Sequence, residues 1–511
     1  MITSVGKADP RYSELENGHN LRWPLSAADA PDSIELCENA EDVVSALQRI
    51  VDSGRRPTIR SGGHCYEDFV CSNPGGALLD LSLLTGDRMP QDGERYRISA
   101  GTQLGDAYLD LFKLHNVTLP GGSCTGVGAG GHISGGGYGL LSRLHGLTVD
   151  WLSAVEIVTI NQNGKAALLF CDKNTNADLF RACCGSGGGS FGVITGFLFN
   201  TLPRPPKEVA TGGVSFDWAG MSEARFVDIV MKFGEYWQTR GKDQDTWGLY
   251  SGLELSHSSG GHFGLGIQFC NPDGTCGDLT VMNEYLERFR DCHPIEEHVA
   301  VPGAHIAPQT SAKQRPCPGL RSVNIVPWLE ATVRGGNGRR SRAKYKSAYM
   351  KENFTADEAK CIYKHLKTPV PGVKEGHPIL AVGSYGGAVN QSGRGEGTSI
   401  AQRSSTLKLQ YQTYWNDPKD DAGQLQWMSD FYTDLYSGEN VPSRFAGTPY
   451  PGKHYEGCYI NYPDKDMLAY PFWPQLYWGD GDLYPFLQGV KQQYDPHNIF
   501  HHAMSVRPKQ S

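Results

Sequence analysis

The 511-residue sequence lacks long apolar runs, an excess of basic charge and Cys-x-x-Cys motifs. No apolar stretch reaches the roughly 18–20 residues that cross a membrane, and the first residues lack the charged-then-apolar pattern of a secretory signal. The net charge is −8, whereas proteins that bind nucleic acid carry basic patches. We therefore expect a cytoplasmic protein with neither membrane nor nucleic-acid partners.

The thirteen cysteines form no Cys-x-x-Cys pair and show no zinc-site spacing. Thirteen is an odd number, so at least one thiol cannot pair within the chain. We expect most of these cysteines to be buried free thiols that pack as small apolar residues, and we expect no metal site.

Glycine, in contrast, is abundant and clustered: the chain has 63 glycines, concentrated in 121–139, 183–192 and 383–397. Only glycine takes positive φ freely and lets another group approach the backbone closely. The first cluster reads GGSCTGVGAGGHISGGGYG and keeps Cys124 among its glycines. From these residues alone, two interpretations stay open: a flexible surface loop, or a loop whose backbone lies against a ligand with Cys124 aimed at it.

The predicted elements change character near the proline-rich segment at 202–206. Before it, short helices alternate with short strands; they include a helix opened by Asn39 and a hairpin turn at Asn163-Gly164. After it, longer amphipathic helices alternate with period-2 strands up to about residue 450, which predicts an antiparallel sheet with helices on one face. The fold class is α+β. Segments 331–343 and 392–398, rich in Gly, Arg and Ser, are predicted to be exposed loops.

Two shorter motifs carry ambiguous signals. RSGGH at 60–64 follows a predicted strand, and its successive N–H groups can form an anion-binding nest; taken alone, such a sequence is more often just a turn. GSGGGSFG at 185–192 does not open a long helix in a βαβ unit, so it lacks the context of a Rossmann fingerprint.

Together, five ordered motifs resemble the berberine-bridge-enzyme-like flavin oxidases of the vanillyl-alcohol-oxidase type. They are RSGGH, GGSCTGVGAGGHISGGGYG, GSGGGSFGVIT, YINYPD at 459–464 and YDPHNIF at 494–500. FDWAGMSEA, SYGGAVN and HHAMSVRP look most like bacterial hexose oxidases that tailor glycopeptide antibiotics. The resemblance implies a PCMH-type FAD-binding domain with two subdomains, built from 1–203 and 452–511, and a substrate domain formed by 204–451.

The resemblance further implies FAD held by two covalent bonds, from His64 to the flavin 8α-methyl group and from Cys124 to ring carbon 6. A thiolate on a loop with few side chains can reach a flat ring; the alternative for Cys124 is an inert buried thiol. The pyrophosphate is expected against the backbone of Arg60, Ser61, Gly62 and Gly63. The other residues that the resemblance places at the cofactor are Gly128, Gly130, Gly131, Gly135, Gly136, Gly137, Phe191, Gly192, Val193, Tyr459 and Asn461.

For catalysis, the resemblance implies Tyr462 as the base, Tyr138 at the substrate-facing edge of the flavin and Val127 as an oxygen gate. A free tyrosine has a pKa of about 10, so Tyr462 needs a nearby positive charge or hydrogen bonds to its phenolate; Tyr138 is one possible donor. The alternatives are that Tyr462 only stacks on substrate and that Tyr138 only shapes the pocket. His132 is interpreted as a structural hydrogen-bonding residue.

Side-chain alternation carries two further predictions. In YINYPD, read as a strand, Tyr459 and Asn461 share one face and Tyr462 lies on the other. In the strand 407–415, one face holds a row of polar and aromatic groups that suits a sugar, although a solvated sheet face has the same pattern. The residues of that row are Lys408, Gln410, Gln412 and Tyr414.

The resemblance thus implies an oxidase in which Tyr462 takes the hydroxyl proton of an alcohol carbon. A hydride passes from that carbon to flavin N5, and oxygen reoxidises the flavin, giving hydrogen peroxide. The expected substrate is a sugar or sugar-bearing natural product. One alternative is dehydrogenation or ring closure of a polyketide or alkaloid, and another is a storage protein that binds FAD without turnover.

Overall fold

The structure is a computed structural model. It describes residues 3–85, 95–295, 313–316, 322–333, 336, 338, 340–372 and 378–509. Within those ranges, every helix is too short or too polar to cross a bilayer. The twelve cysteines that the structure describes are free thiols, and most of them are buried, as predicted; Cys317 lies outside the described residues.

The described part of the chain before residue 203 contains short strands and helices. The strands are β1 Thr3–Gly6, β2 Ser33–Leu36, β3 Pro57–Arg60, β4 Ala77–Asp80, β5 Tyr96–Ser99, β6 Leu152–Ile160, β7 Ala166–Asp172 and β8 Val193–Phe199. The helices are α1 Tyr12–Leu15, α2 Ala40–Asp52, α3 Leu104–His115, α4 Ala129–Ser134, α5 Ser142–His145 and α6 Ala177–Cys183.

These strands form two four-stranded sheets, ordered β1-β2-β4-β3 and β5-β8-β6-β7. In the first, β4 runs parallel to both β2 and β3, whereas the second is antiparallel. Helix α2 begins where Asn39 accepts a hydrogen bond from the Asp42 N–H, as its capping preference predicts. The predicted hairpin at Asn163-Gly164 is also confirmed, since β6 and β7 pair on either side of it.

The elements after residue 203 are longer. The strands are β9 Glu208–Asp217, β10 Leu249–Ser256, β11 His262–Phe269, β12 Lys313–Pro316, β13 Ser322–Pro327, β14 Arg342–Met350, β15 Ile379–Ser384 and β16 Leu407–Trp415. The helices are α7 Glu223–Arg240, α8 Thr280–Glu287, α9 Trp328–Val333, α10 Ala356–Lys367, α11 Asp421–Leu435, α12 Trp473–Trp478 and α13 Leu483–Tyr494.

Strands β9 to β16 build one eight-stranded sheet in the order β12-β13-β9-β11-β10-β15-β16-β14. All its pairs are antiparallel, as the period-2 pattern predicted. Helices cover one face: the ring of Tyr411 in β16 lies 5.2 Å from that of Phe431 in α11, and Thr413 bonds to Gln424 of the same helix. The division of the chain into domains at residues 203 and 451 stays a prediction.

Two local predictions were wrong. The segment 331–343, predicted as a loop, includes the end of α9 and the start of β14, because Arg342–Met350 pairs along its whole length with β16. YINYPD is a turn rather than a strand: the Tyr462 N–H donates to the Tyr459 carbonyl at 2.9 Å. Pro463 follows and has no N–H to give to a sheet partner.

Candidate active site

A cavity of about 1650 Å³ lies between the glycine loops and the face of the large sheet that α11 does not cover. Typical small-molecule sites measure roughly 300–1,000 Å³, so this cavity has room for a dinucleotide together with a substrate. Most predicted site residues line it: Arg60, Ser61, Gly62, Gly63, His64, Cys124, Val127, Gly128, Gly130, Gly131, Tyr138, Gly192, Gln410, Gln412, Tyr414, Tyr459, Asn461 and Tyr462.

His64 and Cys124 contact the same peptide group. The Cys124 thiol donates to the Gly336 carbonyl at 3.3 Å, and the Val127 N–H donates to the Cys124 carbonyl at 3.2 Å. The Gly126 carbonyl faces the His64 ring, and the N–H groups of Gly126 and Val127 face the Cys124 sulfur. A single residue therefore brings together the two side chains that the sequence predicted as attachment points, although they come from different loops.

The protonation of His64 and Cys124 follows from their surroundings. Burial lowers the pKa of His64 to about 3, with a smaller contribution from the ring of His19, which stacks at 3.6 Å. His64 is thus neutral at pH 7, and its buried Nε2 has no hydrogen-bond partner in the described part of the chain. Burial also raises the pKa of the Cys124 thiol, while the two backbone N–H groups act in the opposite direction.

The RSGGH turn presents backbone rather than charge to the cavity. The Arg60 guanidinium turns away and bonds to Asp80 at 2.6 Å, and the Ser61 hydroxyl donates to the Ala100 carbonyl at 2.6 Å. A Cβ at Gly62 would lie 2.3 Å from the backbone nitrogen of Gly128, so the two loops touch backbone to backbone. Such an arrangement fits an anionic group held by N–H donors.

Replacing Gly62 by alanine is expected to push the two loops apart, because its methyl group would overlap the Gly128 nitrogen. Overpacking of this kind typically costs about 1–3 kcal/mol, and we expect less bound flavin and a lower melting temperature. The matched control is Gly489→Ala in α13, where nothing lies within 4 Å of the new methyl group. If Gly62→Ala keeps the wild-type flavin content and melting temperature, as the control does, the close approach of Gly62 to Gly128 contributes neither to flavin binding nor to stability.

Some predicted site residues lie away from the cavity wall. Phe191 and Val193 are buried in the hydrophobic core, at 3% and 0% exposure, because β8 begins here and takes their side chains inward. Gly135, Gly136 and Gly137 also lie behind the wall: a Cβ at Gly135 would overlap the Asn461 amide. The wall is formed instead by Ser186, Gly187, Gly188, Gly189 and Ser190, which belong to the glycine motif that the sequence analysis quoted.

Lys408 lies in the middle of a cluster of tyrosines. Its ammonium is 3.7 Å from the ring centre of Tyr462, 4.7 Å from that of Tyr459 and 5.0 Å from that of Tyr138. No carboxylate pairs with this 4% exposed lysine within the described residues. Burial lowers the pKa of Lys408 well below its ordinary value and raises the pKa of Tyr462.

An ammonium and a phenolate at this separation attract each other strongly in a low-dielectric site. Burial nevertheless disfavours both charged forms, since it lowers the pKa of Lys408 and raises that of Tyr462. Lys408 is thus the basic side chain that would place a positive charge beside the Tyr462 ring when it is protonated.

The turn that carries Tyr462 is fixed to the first glycine loop. The Asn461 amide donates to the His132 carbonyl at 2.9 Å and to the Tyr459 hydroxyl at 3.3 Å, and the backbone N–H groups of Gly137 and Tyr138 face that hydroxyl. His132 itself accepts a hydrogen bond from the Gly122 N–H through Nε2 at 3.1 Å. Tyr459, Asn461 and His132 therefore hold backbone segments together.

The Tyr138 hydroxyl donates to the Ser384 carbonyl at 2.6 Å, and the Tyr250 side chain lies beside it. The Tyr138 ring remains in the cavity wall beside Lys408, so the geometry favours a shaping role for Tyr138.

Tyrosines and amides form the wall beyond Tyr462. The Gln410 amide donates to the Tyr66 hydroxyl at 2.8 Å, and the Tyr414 hydroxyl donates to Gln412 at 2.5 Å. Tyr66 stacks on Tyr345 with ring centres 3.5 Å apart. Sequence reasoning missed Tyr66, which comes two residues after His64, and Tyr345, which lies on the unrecognised strand β14.

Five charged groups meet behind the turn of Tyr462. Lys344 bonds to Glu67 at 2.8 Å and to Asp464 at 2.6 Å, and Lys346 bonds to Asp464 and Asp466 at 2.6 and 2.5 Å. Lys344, Lys346, Glu67 and Asp464 are at most 4% exposed. Because Glu67 follows His64 and Asp464 follows Tyr462 closely in sequence, this network joins both functional loops to β14.

Lys344→Met is expected to destabilise the protein by about 3–5 kcal/mol, because it removes the lysine that pairs with the buried Glu67 carboxylate and leaves Asp464 with Lys346 alone. The control is Lys419→Met, which removes an exposed ion pair with Asp417 and is expected to cost about 0–1 kcal/mol. Urea unfolding of both variants measures the difference. Equal midpoints would contradict a structural role for the network.

Backbone-lined glycine loops beside a neutral imidazole and a thiol define a site for a dinucleotide cofactor with a reactive ring. Comparison with known families agrees: residues 31–167 match the FAD binding domain family, and residues 458–507 match the family described as berberine and berberine like. The protein is an FAD-dependent oxidoreductase.

Individual relatives match over nearly the whole chain. The aclacinomycin-N/aclacinomycin-A oxidase of Streptomyces galilaeus is 31% identical over 99% of this chain and 90% of its own length. The hexose oxidase of Chondrus crispus is 30% identical over 98% and 94%. The crystal structure of glycopeptide hexose oxidase DBV29 complexed with teicoplanin superposes with a TM-score of 0.85, at 33% identity and 99% coverage of both chains. The chain belongs to the berberine-bridge-enzyme-like family of FAD-linked oxidases, whose fold it shares.

Proposed function

We propose that this protein is a bicovalent FAD oxidase that oxidises an alcohol carbon of a sugar or sugar-bearing natural product. The observation that carries the proposal is that Tyr462, His64 and Cys124 line one cavity, and that Lys408 packs against the ring of Tyr462. The names of the relatives support the substrate class, since they include a hexose oxidase, a glycopeptide hexose oxidase and an aclacinomycin oxidase.

The residues at the cavity fit FAD. The backbone of residues 60–63 and of Gly128, Gly130 and Gly131 would hold the pyrophosphate, and His64 and Cys124 would each form one covalent bond to the ring system. When bound, FAD supplies a two-electron acceptor whose electrons pass on to oxygen as hydrogen peroxide. Val127 lies three residues after Cys124 in the cavity wall, and we assign it the control of oxygen access.

The chain's own contribution to the chemistry is proton removal and orientation. The Tyr462 phenolate accepts the proton of the substrate hydroxyl, and the Lys408 ammonium keeps the phenolate form accessible. Fixing the donor carbon within about 3–3.5 Å of its acceptor removes much of the entropic barrier. Tyr138 contributes a wall whose position is set by its bond to Ser384.

The wall of β16 suits a sugar because it combines amides for hydroxyl groups with aromatic faces for stacking. Gln410, Gln412 and Tyr414 provide these groups on the cavity side. The Tyr66–Tyr345 stack also favours a second candidate, the oxidation of a flat polyketide or alkaloid by dehydrogenation or ring closure, since parallel rings receive planar systems well.

A peroxide-release screen tests the proposed function. Purified, flavin-loaded protein is offered monosaccharides, oligosaccharides, glycoconjugates and polycyclic aglycones in air. We expect peroxide with at least one sugar-bearing compound and none from the same compound with Tyr462→Phe. Peroxide from aglycones alone would select the second candidate, and a yellow protein that is inert toward the whole panel would contradict the oxidase proposal.

Lys408→Met is expected to raise the pKa of Tyr462, because the phenolate loses the cation above its ring. Activity depends on the phenolate, so the rise of kcat/KM with pH is expected to move to higher pH and activity at pH 7 to fall. Lys408→Arg keeps a positive charge and is expected to restore part of the profile. An unchanged pH profile in Lys408→Met would show that the lysine does not act on Tyr462.

A further inference from the structure

A group of potential metal ligands lies on the helical layer, on the opposite side of the large sheet from the cavity. Cys361 and His365 are one turn apart on α10, and Asp434 approaches them from α11. Their candidate ligand atoms all lie within 4.8 Å of one another. From this geometry we propose that Cys361, His365 and Asp434 form a zinc site between α10 and α11.

The ligand set matches the chemistry of Zn²⁺. Zinc prefers thiolate, imidazole and carboxylate ligands at about 2.0–2.3 Å in a tetrahedral arrangement, and the three residues supply one of each. The His365 Nε2 already lies 2.8 Å from an Asp434 carboxylate oxygen, so a shift of a few tenths of an ångström admits an ion between them. The half-exposed Asp434 leaves the fourth position to water.

The surroundings fix the imidazole in place. His365 is 5% exposed, its ring stacks on Phe431 at 5.0 Å with an interplanar angle of 12°, and its carbonyl accepts a hydrogen bond from Trp427. The ring directs Nε2 toward Asp434 of α11. A metal site between two helices requires an imidazole whose orientation is fixed by its neighbours.

Zinc binding would change the charged partners of Asp434 and the protonation of Cys361. In the structure, the Lys364 ammonium bonds to Asp434 at 2.9 Å. Zn²⁺ would displace this ammonium, and the Cys361 thiol would lose its proton to solvent as the zinc–sulfur bond forms. The sequence analysis predicted no metal site because no local cysteine spacing indicates one; these ligands come from two helices separated in sequence.

The site joins the helices that pack behind β16, the strand that carries Lys408 and the amide wall. Tyr411 and Thr413 of that strand contact α11 directly. Bound zinc would therefore link α10 to α11 and stabilise the layer that supports the cavity.

Cobalt substitution tests the site on the flavin-loaded full chain. One equivalent of Co²⁺ is expected to give the visible d–d bands of tetrahedral thiolate coordination, at wavelengths longer than the flavin absorbs, and one equivalent of Zn²⁺ is expected to abolish them. Cys361→Ser and His365→Gln are each expected to weaken metal affinity by more than about 10-fold, with flavin absorbance showing that the variants fold.

Two further variants complete the test. Cys292→Ser is the matched control, since Cys292 lies beside Asp228 and Lys232, away from the Cys361–His365–Asp434 group; its metal binding is expected to equal that of the wild type. Lys364→Met removes the competing ammonium and is expected to tighten binding. Absence of the cobalt bands in the wild type, or equal affinity in Cys361→Ser, His365→Gln and the wild type, would overturn the proposal.

Discussion

Tyr462→Phe is expected to lower kcat by about 10²–10⁴-fold, the usual contribution of a positioned general base. The phenylalanine keeps the ring over which the Lys408 ammonium lies, but it has no oxygen to accept the substrate proton. The fold and the flavin absorbance are expected to stay unchanged, because the Tyr462 ring rather than its hydroxyl makes the described contacts with Tyr66, Tyr459 and Lys408. Initial rates of peroxide release at saturating substrate measure the loss.

Tyr363→Phe serves as the matched control for this prediction. It also removes a phenol hydroxyl, one that donates to the Met221 carbonyl in the helical layer, and it is expected to leave kcat unchanged. If Tyr462→Phe turns over at the wild-type rate, Tyr462 only stacks on substrate and another group must take the proton.

The second large effect concerns cofactor retention. His64→Ala and Cys124→Ser are each expected to keep FAD through the remaining covalent bond, whereas the double variant is expected to release all of its flavin on acid precipitation. Both side chains lie against Gly126, and the Cys124 thiol also donates to the Gly336 carbonyl, so removing one leaves the other in place. Flavin absorbance in the supernatant and the mass of the denatured chain give the result.

Cys65→Ser controls for a general effect of losing a thiol near His64. Burial raises the pKa of Cys65 to about 12, so this neighbour is an unreactive thiol and its loss is expected to leave the flavin attached. Release of yellow colour from acid-precipitated wild-type protein would show that neither covalent bond exists.

Features encoded by local sequence could be predicted. The Asn39 cap of α2, the hairpin at Gly164 and the alternation along β16 depend on neighbouring residues only, and all three are found in the structure. The antiparallel sheet could also be predicted, because period-2 strands that alternate with amphipathic helices favour a sheet with helices packed on one face.

Features that depend on distant residues could not be predicted. Lys408 was placed on the correct face of its strand, but its contact with Tyr462 arises from a turn that packs against β16 late in the chain. The charge network around Lys344 joins three separate segments and has no local signal. Side-chain alternation predicts a strand at YINYPD, but it cannot show whether a partner strand exists, and the segment is a turn.

Anaerobic mixing with a sugar-bearing substrate tests the central claim most directly. The account predicts that the flavin absorbance of the wild type bleaches as the substrate carbon is oxidised, and that it returns with one equivalent of hydrogen peroxide when air is admitted. Tyr462→Phe is expected to bleach far more slowly under the same conditions. Flavin that stays oxidised with every sugar-bearing compound of the panel would contradict the assignment of this protein as a sugar-directed oxidase.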